Sequence, residues 1–250
     1  VSVSSDGSRL AVGIRSGGSS SQGIVRVFDW DGTSWTQVGS DIVGLVNGDN
    51  FGRAVSLSSD GVRVAIGAPF ADPSSSFGYF NSGQVTVYEL SGSTWVQMGS
   101  VFSGVFNNER LGFSVSLNSD GTKLAIGSTG FSGGNVKVYN WSGTSWTQVG
   151  STMTGDATGD EYGTSVSLSS DGTRLAVGAA AHNTSGYVRV YEFSGNAWGQ
   201  QGSSINGEGS TDRFGFSVSL SSDGTRFAAG GIGNTANSGH VRVFEYSSDW

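Results

Sequence analysis

Cysteine is absent from this chain and proline occurs only twice. The first absence excludes disulfides, thiol nucleophiles and thiolate metal centres, but it leaves the compartment open, because a repeat protein can stand on its core without cross-links. The scarcity of proline, beside 42 glycines in 250 residues, excludes a collagen-like chain or a proline-rich linker. Charge is sparse as well, at 13% of residues, and its balance is −7. Nucleic acid is therefore not expected as a partner, since neutralising phosphates needs clustered Lys and Arg, and an anionic membrane surface is disfavoured for the same reason. No apolar run approaches the roughly 18 residues of a membrane helix, so no membrane insertion is expected. Sustained 3.6-residue periodicity is also missing, which predicts almost no helix.

What is present is a repeat. The stretch Phe214–Gly230 recurs as Phe51–Gly67, Leu111–Gly127 and Tyr162–Gly178, with Val1–Gly13 as a fifth copy lacking its first residues. Each copy alternates apolar and polar residues at period two, passes through Asp-Gly and alternates again, as two antiparallel strands joined by a tight type I′ hairpin would. Aligned on Val1, Val55, Val115, Val166 and Val218, the copies are spaced by 54, 60, 51 and 52 residues. A period near 50 with short strands points to a β-propeller. Four strands fit each repeat: A at Val55–Ser58, B at Arg63–Gly67, C at Val188–Glu192, and D at Trp35–Gly39 or Trp146–Gly150. The expected fold is all-β, one domain of five four-stranded antiparallel blades, spanning about 1–54, 55–114, 115–165, 166–217 and 218–250, with the last blade incomplete.

Alternating strand direction puts the tight A–B and C–D turns at one end of the blades and the longer, variable B–C and D–A loops at the other. Variation on one face of a rigid scaffold is where binding concentrates. The longest B–C loop, Ala68–Ser82, carries Phe70, Phe77, Tyr79 and Phe80, more aromatic surface than a solvated loop needs. The D–A loops are acidic, with Asp49, Asp160 and Asp212 two residues ahead of Phe51-Gly52, Tyr162-Gly163 and Phe214-Gly215. Two readings stand for these acids: an acidic ring able to hold a cation or a cationic partner, or carboxylates accepting backbone N–H groups in the turn into strand A. Trp35, Trp95, Trp146, Trp198 and Trp250 recur at the start of strand D, as interblade packing or as sugar-stacking platforms. Arg9, Arg63, Lys123, Arg174 and Arg226 open strand B, while Arg26, Lys137, Arg189 and Arg242 lie in strand C, and cross-strand pairing with Glu89, Glu192 and Glu245 is expected for both sets. The sequons at Asn183 and Asn140 are possible glycosylation sites in a secreted eukaryotic protein.

Phe51-Gly52 followed by Gly67-Ala68-Pro69 resembles the FG-GAP repeat of the integrin α-subunit propeller and related surface proteins. The likeness extends to Phe214-Gly215 and softens to Leu111-Gly112 and Tyr162-Gly163, while the second half of the motif is complete only in blade 2. The resemblance implies a propeller with an extracellular or cell-surface interaction role. It does not carry over the family's calcium loops, because each A–B turn has a single carboxylate (Asp6, Asp60, Asp120, Asp171 or Asp223) where calcium wants six to eight oxygens.

Catalytic machinery is not expected. The two histidines, His182 and His240, have no second histidine nearby, no Ser-His-Asp spacing or phosphate loop occurs, and carboxylate pairs recur by symmetry alone. The expectation is a non-enzymatic adhesion or scaffold module without cofactor or metal, binding a protein or glycan partner on the cell surface through the loop face; the alternative is a lectin with sites between blades. The chain opens at Val1 inside a repeat and stops at Trp250, the first residue of a strand D. The expectation at these ends is a continuing polypeptide, or a neighbouring chain that donates a strand to the edge Val241–Tyr246. If the Asp-Gly turns hold no calcium, Asp171→Asn will change the melting temperature little and a chelator will leave it unchanged; a drop of several degrees on chelation would refute this.

Overall fold

The computed structural model describes residues 1–18, 21–72, 80–233 and 238–247. They form five antiparallel sheets, the blades of a β-propeller, and two single-turn 3-10 segments, Phe131–Gly133 and His182–Thr184. Blade 1 holds β1 (Ser2–Val3), β2 (Arg9–Ile14), β3 (Ile24–Trp30), β4 (Trp35–Gln37) and β5 (Ile42–Val43). Blade 2 holds β6 (Ala54–Leu57), β7 (Arg63–Ala68), β8 (Gln84–Ser91), β9 (Thr94–Gln97) and β10 (Phe102–Ser103). Blade 3 holds β11 (Leu111–Leu117), β12 (Lys123–Ser128), β13 (Asn135–Trp141), β14 (Trp146–Gln148) and β15 (Met153–Thr154). Blade 4 holds β16 (Tyr162–Leu168), β17 (Arg174–Ala179), β18 (Tyr187–Ser194) and β19 (Ala197–Asn206), and blade 5 holds β20 (Ser217–Leu220), β21 (Arg226–Gly231) and β22 (His240–Glu245).

Strand D is longer than the sequence pattern suggests. In blades 1 to 3 it comes in two pieces, as with β4 and β5, which both pair with β3 on either side of Val38–Asp41. In blade 4 it is continuous and carries a register shift instead. Strand A also begins earlier in blades 3 and 4, where Leu111 and Tyr162 pair ahead of a bulge at the following glycine. The A–B turn differs from the expected two-residue type I′ hairpin. That turn needs positive φ at both central residues, and here only the glycine has it, at +75° for Gly7 and +66° for Gly172. The glycine N–H closes a β-turn onto the serine three residues back (Gly7 to Ser4, 3.0 Å), and the aspartate accepts the N–H two residues on, as Asp171 does from Thr173 at 2.9 Å. The serine two residues before the aspartate donates to it, which holds the exposed Asp6 and Asp223 down to about 2.

The core is layered between blades. Strand C of each of blades 1 to 4 presents two valines that are at most 1% exposed: Val25 and Val27, Val85 and Val87, Val136 and Val138, Val188 and Val190. They pack on strands A and B of the next blade, as Val136 and Val138 do with Val166, Leu168, Leu175 and Val177. Each such valine contributes about 1.5–3 kcal/mol. The corresponding Val241 and Val243 of blade 5 are 71% and 70% exposed, as is Val3 of blade 1 at 52%.

Polar contacts repeat across each blade junction. Near the axis, the strand-A serine of one blade accepts the N–H of the next blade's leucine: Ser2 from Leu57, Ser56 from Leu117, Ser116 from Leu168 and Ser167 from Leu220, all at 2.9–3.0 Å. At the tight-turn end a backbone chain runs from Ser5 to Ser59, Ser119, Ser170 and Ser222. At the rim, the indole N–H groups of Trp95, Trp146 and Trp198 donate to Val38, Met98 and Val149 of the preceding blade. These three tryptophans are half-buried packing residues; Trp35 is more exposed and lies against Trp30 at 5.4 Å. Four of the strand-B cations pair across strands, Arg9 with Asp29, Arg63 with Glu89, Arg174 with Glu192 and Arg226 with Glu245, whereas Lys123 lies opposite Asn140 and donates to the Gly172 carbonyl at 2.8 Å. The strand-C set instead reaches outward to the D strand and D–A loop: Arg26 to Asp41, Lys137 to Glu109, Arg189 to Asp156 and Arg242 to Glu208.

Between consecutive blades, glycine meets glycine. A Cβ on Gly13, Gly67, Gly127 or Gly178, at or near the end of strand B, would sit 1.9–2.3 Å from the carbonyl oxygen of Gly52, Gly112, Gly163 or Gly215 in the next blade. Gly230 meets only its own blade's Ser217 and His240 within 4 Å. Gly67→Ala is expected to cost about 3 kcal/mol or more, because backbone must move, and Gly230→Ala less than about 1. Chemical denaturation of the two variants checks this; equal losses would refute the interblade origin.

Candidate functional site: the long-loop face

Each blade sends a B–C loop and a D–A loop to the same end, and backbone bonds tie the two together. Phe70, Gly130, Ala181 and Gly233, in the B–C loops, donate their N–H groups to the carbonyls of Asp49, Glu109, Asp160 and Asp212 in the D–A loops. These four acids are only 1–7% exposed. Asp160 Oδ2 accepts the N–H groups of Asp156 and Ala157 at 2.9 and 3.0 Å, and Asp212 Oδ2 those of Glu208 and Gly209 at 2.7 and 2.8 Å. Glu109 Oε2 likewise accepts the Val105 N–H at 2.8 Å. The carboxylates of Asp160 and Asp212 thus face inward and brace the loop, rather than forming an open acidic ring. Glu109, two residues ahead of Leu111-Gly112, holds the equivalent position in blade 3.

Asp160 has a second partner, His182 Nδ1 at 2.8 Å, and His182 packs edge-on against Tyr187. Tyr162 donates its hydroxyl to Tyr191 at 2.8 Å beneath them, and burial raises the Tyr162 phenol well above its ordinary value. Asp49 differs from its equivalents. Burial, followed by the nearby charge of Asp72, pushes its carboxyl up to about 6.

The loop tips divide the face in two. At blades 1 and 2 the D–A tips are apolar and exposed, Leu45 (91%) with Val46, and Val105 with Phe106. At blades 3 and 4 the same positions are Asp156-Ala157 and Glu208-Gly209. Phe106 stacks on Phe131 of the blade-3 B–C loop at 4.2 Å and 7° between planes, leaving both rings partly exposed. Of the aromatic loop residues, Phe80 is 51% exposed and Phe70 is half-buried under the Arg110 guanidinium, while Phe77 and Tyr79 lie outside the described residues. Leu45, Val46, Val105, Phe106 and Phe131 were not legible as site residues, because single apolar residues in a loop carry no periodic signal. Asn183 is exposed on its 3-10 turn. Asn140 sits inside β13 between Lys123 and Thr147, with its amide oxygen buried.

Among the described residues no group of three or more His, Asp or Glu side chains is placed to hold a metal ion, and no helix is long and apolar enough to cross a membrane.

No protein-family model matches the chain, and no curated protein matches it. Solved structures do resemble it. A hydrazine synthase from Kuenenia stuttgartiensis is 15% identical over 92% of this chain and 54% of its own, with a TM-score of 0.59. A functionally unknown protein from Desulfotomaculum acetoxidans DSM 771 is 11% identical over 98% of this chain and 68% of its own, with a TM-score of 0.62. This chain spans about half the length of the hydrazine synthase chain that it matches. At these identities the likeness shows the β-propeller fold alone.

Asp49 generates a pH prediction. Its folded pKa lies above the unfolded value of about 4, so ionisation opposes folding. The penalty is absent below the unfolded pKa and complete once pH has risen through about 6. Asp49→Asn should therefore stabilise the protein by about 1–2 kcal/mol at pH 7.5 and leave it unchanged at pH 3.5. Melting curves at the two pH values check this, and a pH-independent difference would contradict it.

Proposed function

We propose that this propeller is a non-enzymatic scaffold or adhesion module of the cell surface or extracellular space, which holds a protein partner on its long-loop face. The observation that carries the reading is the apolar half of that face, where Leu45, Val46, Phe80, Val105, Phe106 and Phe131 are 43–91% exposed. Exposed apolar side chains gathered on one face mark interaction surfaces. The adjoining half presents Asp156 and Glu208, 52% and 72% exposed, on a chain of net charge −7. The expected partner is a protein with an apolar strip flanked by basic residues. The FG-GAP likeness at Phe51-Gly52 and Gly67-Ala68-Pro69 supports a surface location. β22 pairs only with β21 among the described residues, and we read its outer edge as a place where a neighbouring chain adds a strand.

A second reading, a carbohydrate-binding protein with a site between blades, is favoured by the groove at the blade 3–blade 4 junction lined by Phe131, Arg110 and Asn108.

The test is saturable binding of labelled protein to intact cells of the source organism, with and without Leu45→Ser and Phe106→Ser. Both side chains are solvent-exposed, so the double variant should keep its melting temperature and lose binding at least about tenfold. Unchanged binding would reject the apolar tips as the docking surface.

A further inference from the structure

The groove between blades 3 and 4 has a volume of about 540 Å³ and is lined by Asn107, Asn108, Arg110, Thr129, Phe131 and Glu161, among others. We propose that it binds an acidic saccharide, with the sugar ring against Phe131 and its carboxylate at Arg110. The inference rests on the carbohydrate reading above and narrows it to a uronic-acid type of ligand.

Three observations carry it. First, among the described residues Arg110 has no carboxylate partner and its buried Nε has no hydrogen-bond acceptor; its guanidinium lies 5.8 Å from the Phe70 ring. The acid in the same groove, Glu161, is already engaged by Arg213 at 2.9 Å. Second, the remaining polar groups are biased toward donors. Asn107 Oδ1 accepts the Phe80 N–H at 3.1 Å, and since a backbone N–H can only donate, the Asn107 amide is oriented with Nδ2 free to donate elsewhere. Asn108 Oδ1 accepts from Asn81 Nδ2 at 3.1 Å, which leaves its own Nδ2 as a donor. Thr129 is 4% exposed, and its hydroxyl, able to donate or accept, has no partner among the described residues. A cation beside several donors matches an anionic, oxygen-rich ligand. Third, Phe131, stacked on Phe106, offers an exposed apolar ring beside these donors, the arrangement a pyranose ring needs.

The walls are held in place without a ligand. Gly130 donates its N–H to the Glu109 carbonyl at 3.1 Å, and a Cβ at Gly130 would lie 1.5 Å from the Asn108 carbonyl oxygen, so the B–C and D–A loops touch through backbone. Little ordering is left to be done on binding.

The probes are galacturonic-acid oligomers and neutral galactose oligomers of equal length, with inorganic sulfate as a third arm, followed by titration calorimetry on the whole chain. The acidic oligomer should bind, more weakly as salt rises, and the neutral oligomer at least about tenfold more weakly. Arg110→Gln and Phe131→Ala should each reduce acidic-oligomer binding at least about tenfold, with Arg110→Lys intermediate because it keeps the charge and loses the fork. Arg226→Gln, a like loss of one positive charge on blade 5 outside the groove lining, should leave it unchanged. Equal binding of neutral and acidic oligomers through Phe131 would overturn the acidic specificity while leaving the carbohydrate reading intact. Binding of sulfate as tight as that of the acidic oligomer would overturn the sugar assignment. Binding of none of the three probes, or acidic binding insensitive to both Arg110 variants, would overturn the proposal.

Discussion

The structure depends on one contact, backbone against backbone between consecutive blades, made by a glycine at or near the end of strand B and the second residue of the Phe-Gly pair. Neither position tolerates a Cβ, at the first because 1.9–2.3 Å is all the space there is, at the second because φ is +84° to +86°. This explains in physical terms why the repeat keeps these two glycines and lets their neighbours drift. Once the backbones touch, the strand-A serine is close enough to cap the next blade's leucine N–H, and the indole at the rim reaches the previous blade's outer strand. The valine layers fill what remains between the sheets.

Because the tight-turn end is tied by a serine chain and by Arg or Lys reaching the next turn's carbonyls, as Arg174 does to Gly224, it has little freedom to vary. The other end is tied only at the base of its loops, through the carbonyls of Asp49, Glu109, Asp160 and Asp212. Residues beyond that base can change without disturbing the stack. The tips exploit this, apolar at blades 1 and 2 and acidic at blades 3 and 4, and Arg110 and Phe131 flank a groove that no other junction repeats in sequence.

Legibility followed from how local each signal is. Strands B and C, the basic residues opening strand B and their partners Glu89, Glu192 and Glu245 were readable, since pairing between neighbouring strands follows from period two and a short turn. The D strands were readable only as far as the Trp-x-Gln segment. Their second halves, such as Ile42–Val43, are two residues long and take their identity from pairing with the start of strand C. The partners of Arg26, Lys137, Arg189 and Arg242 were not readable, because the acids involved belong to the D strand and D–A loop, whose path depends on the twist of the whole blade. For the D–A acids two readings were open, a cation-holding ring or carboxylates bracing the turn; the burial of Asp160 and Glu109 and the backbone N–H groups they accept favour the second.

By itself the sequence determined the repeat, the strand directions, the absence of thiol chemistry and the sorting of loops to two ends, because each rests on local pattern or on composition. Only the tertiary structure decided which side chains meet between blades: the glycine contacts, the inward turn of the D–A acids, the Phe106–Phe131 stack and the groove at Arg110. The glycine contacts and the Phe106–Phe131 stack join residues about 25 to 45 positions apart along the chain, and nothing in a local pattern encodes the rotation of one blade against the next.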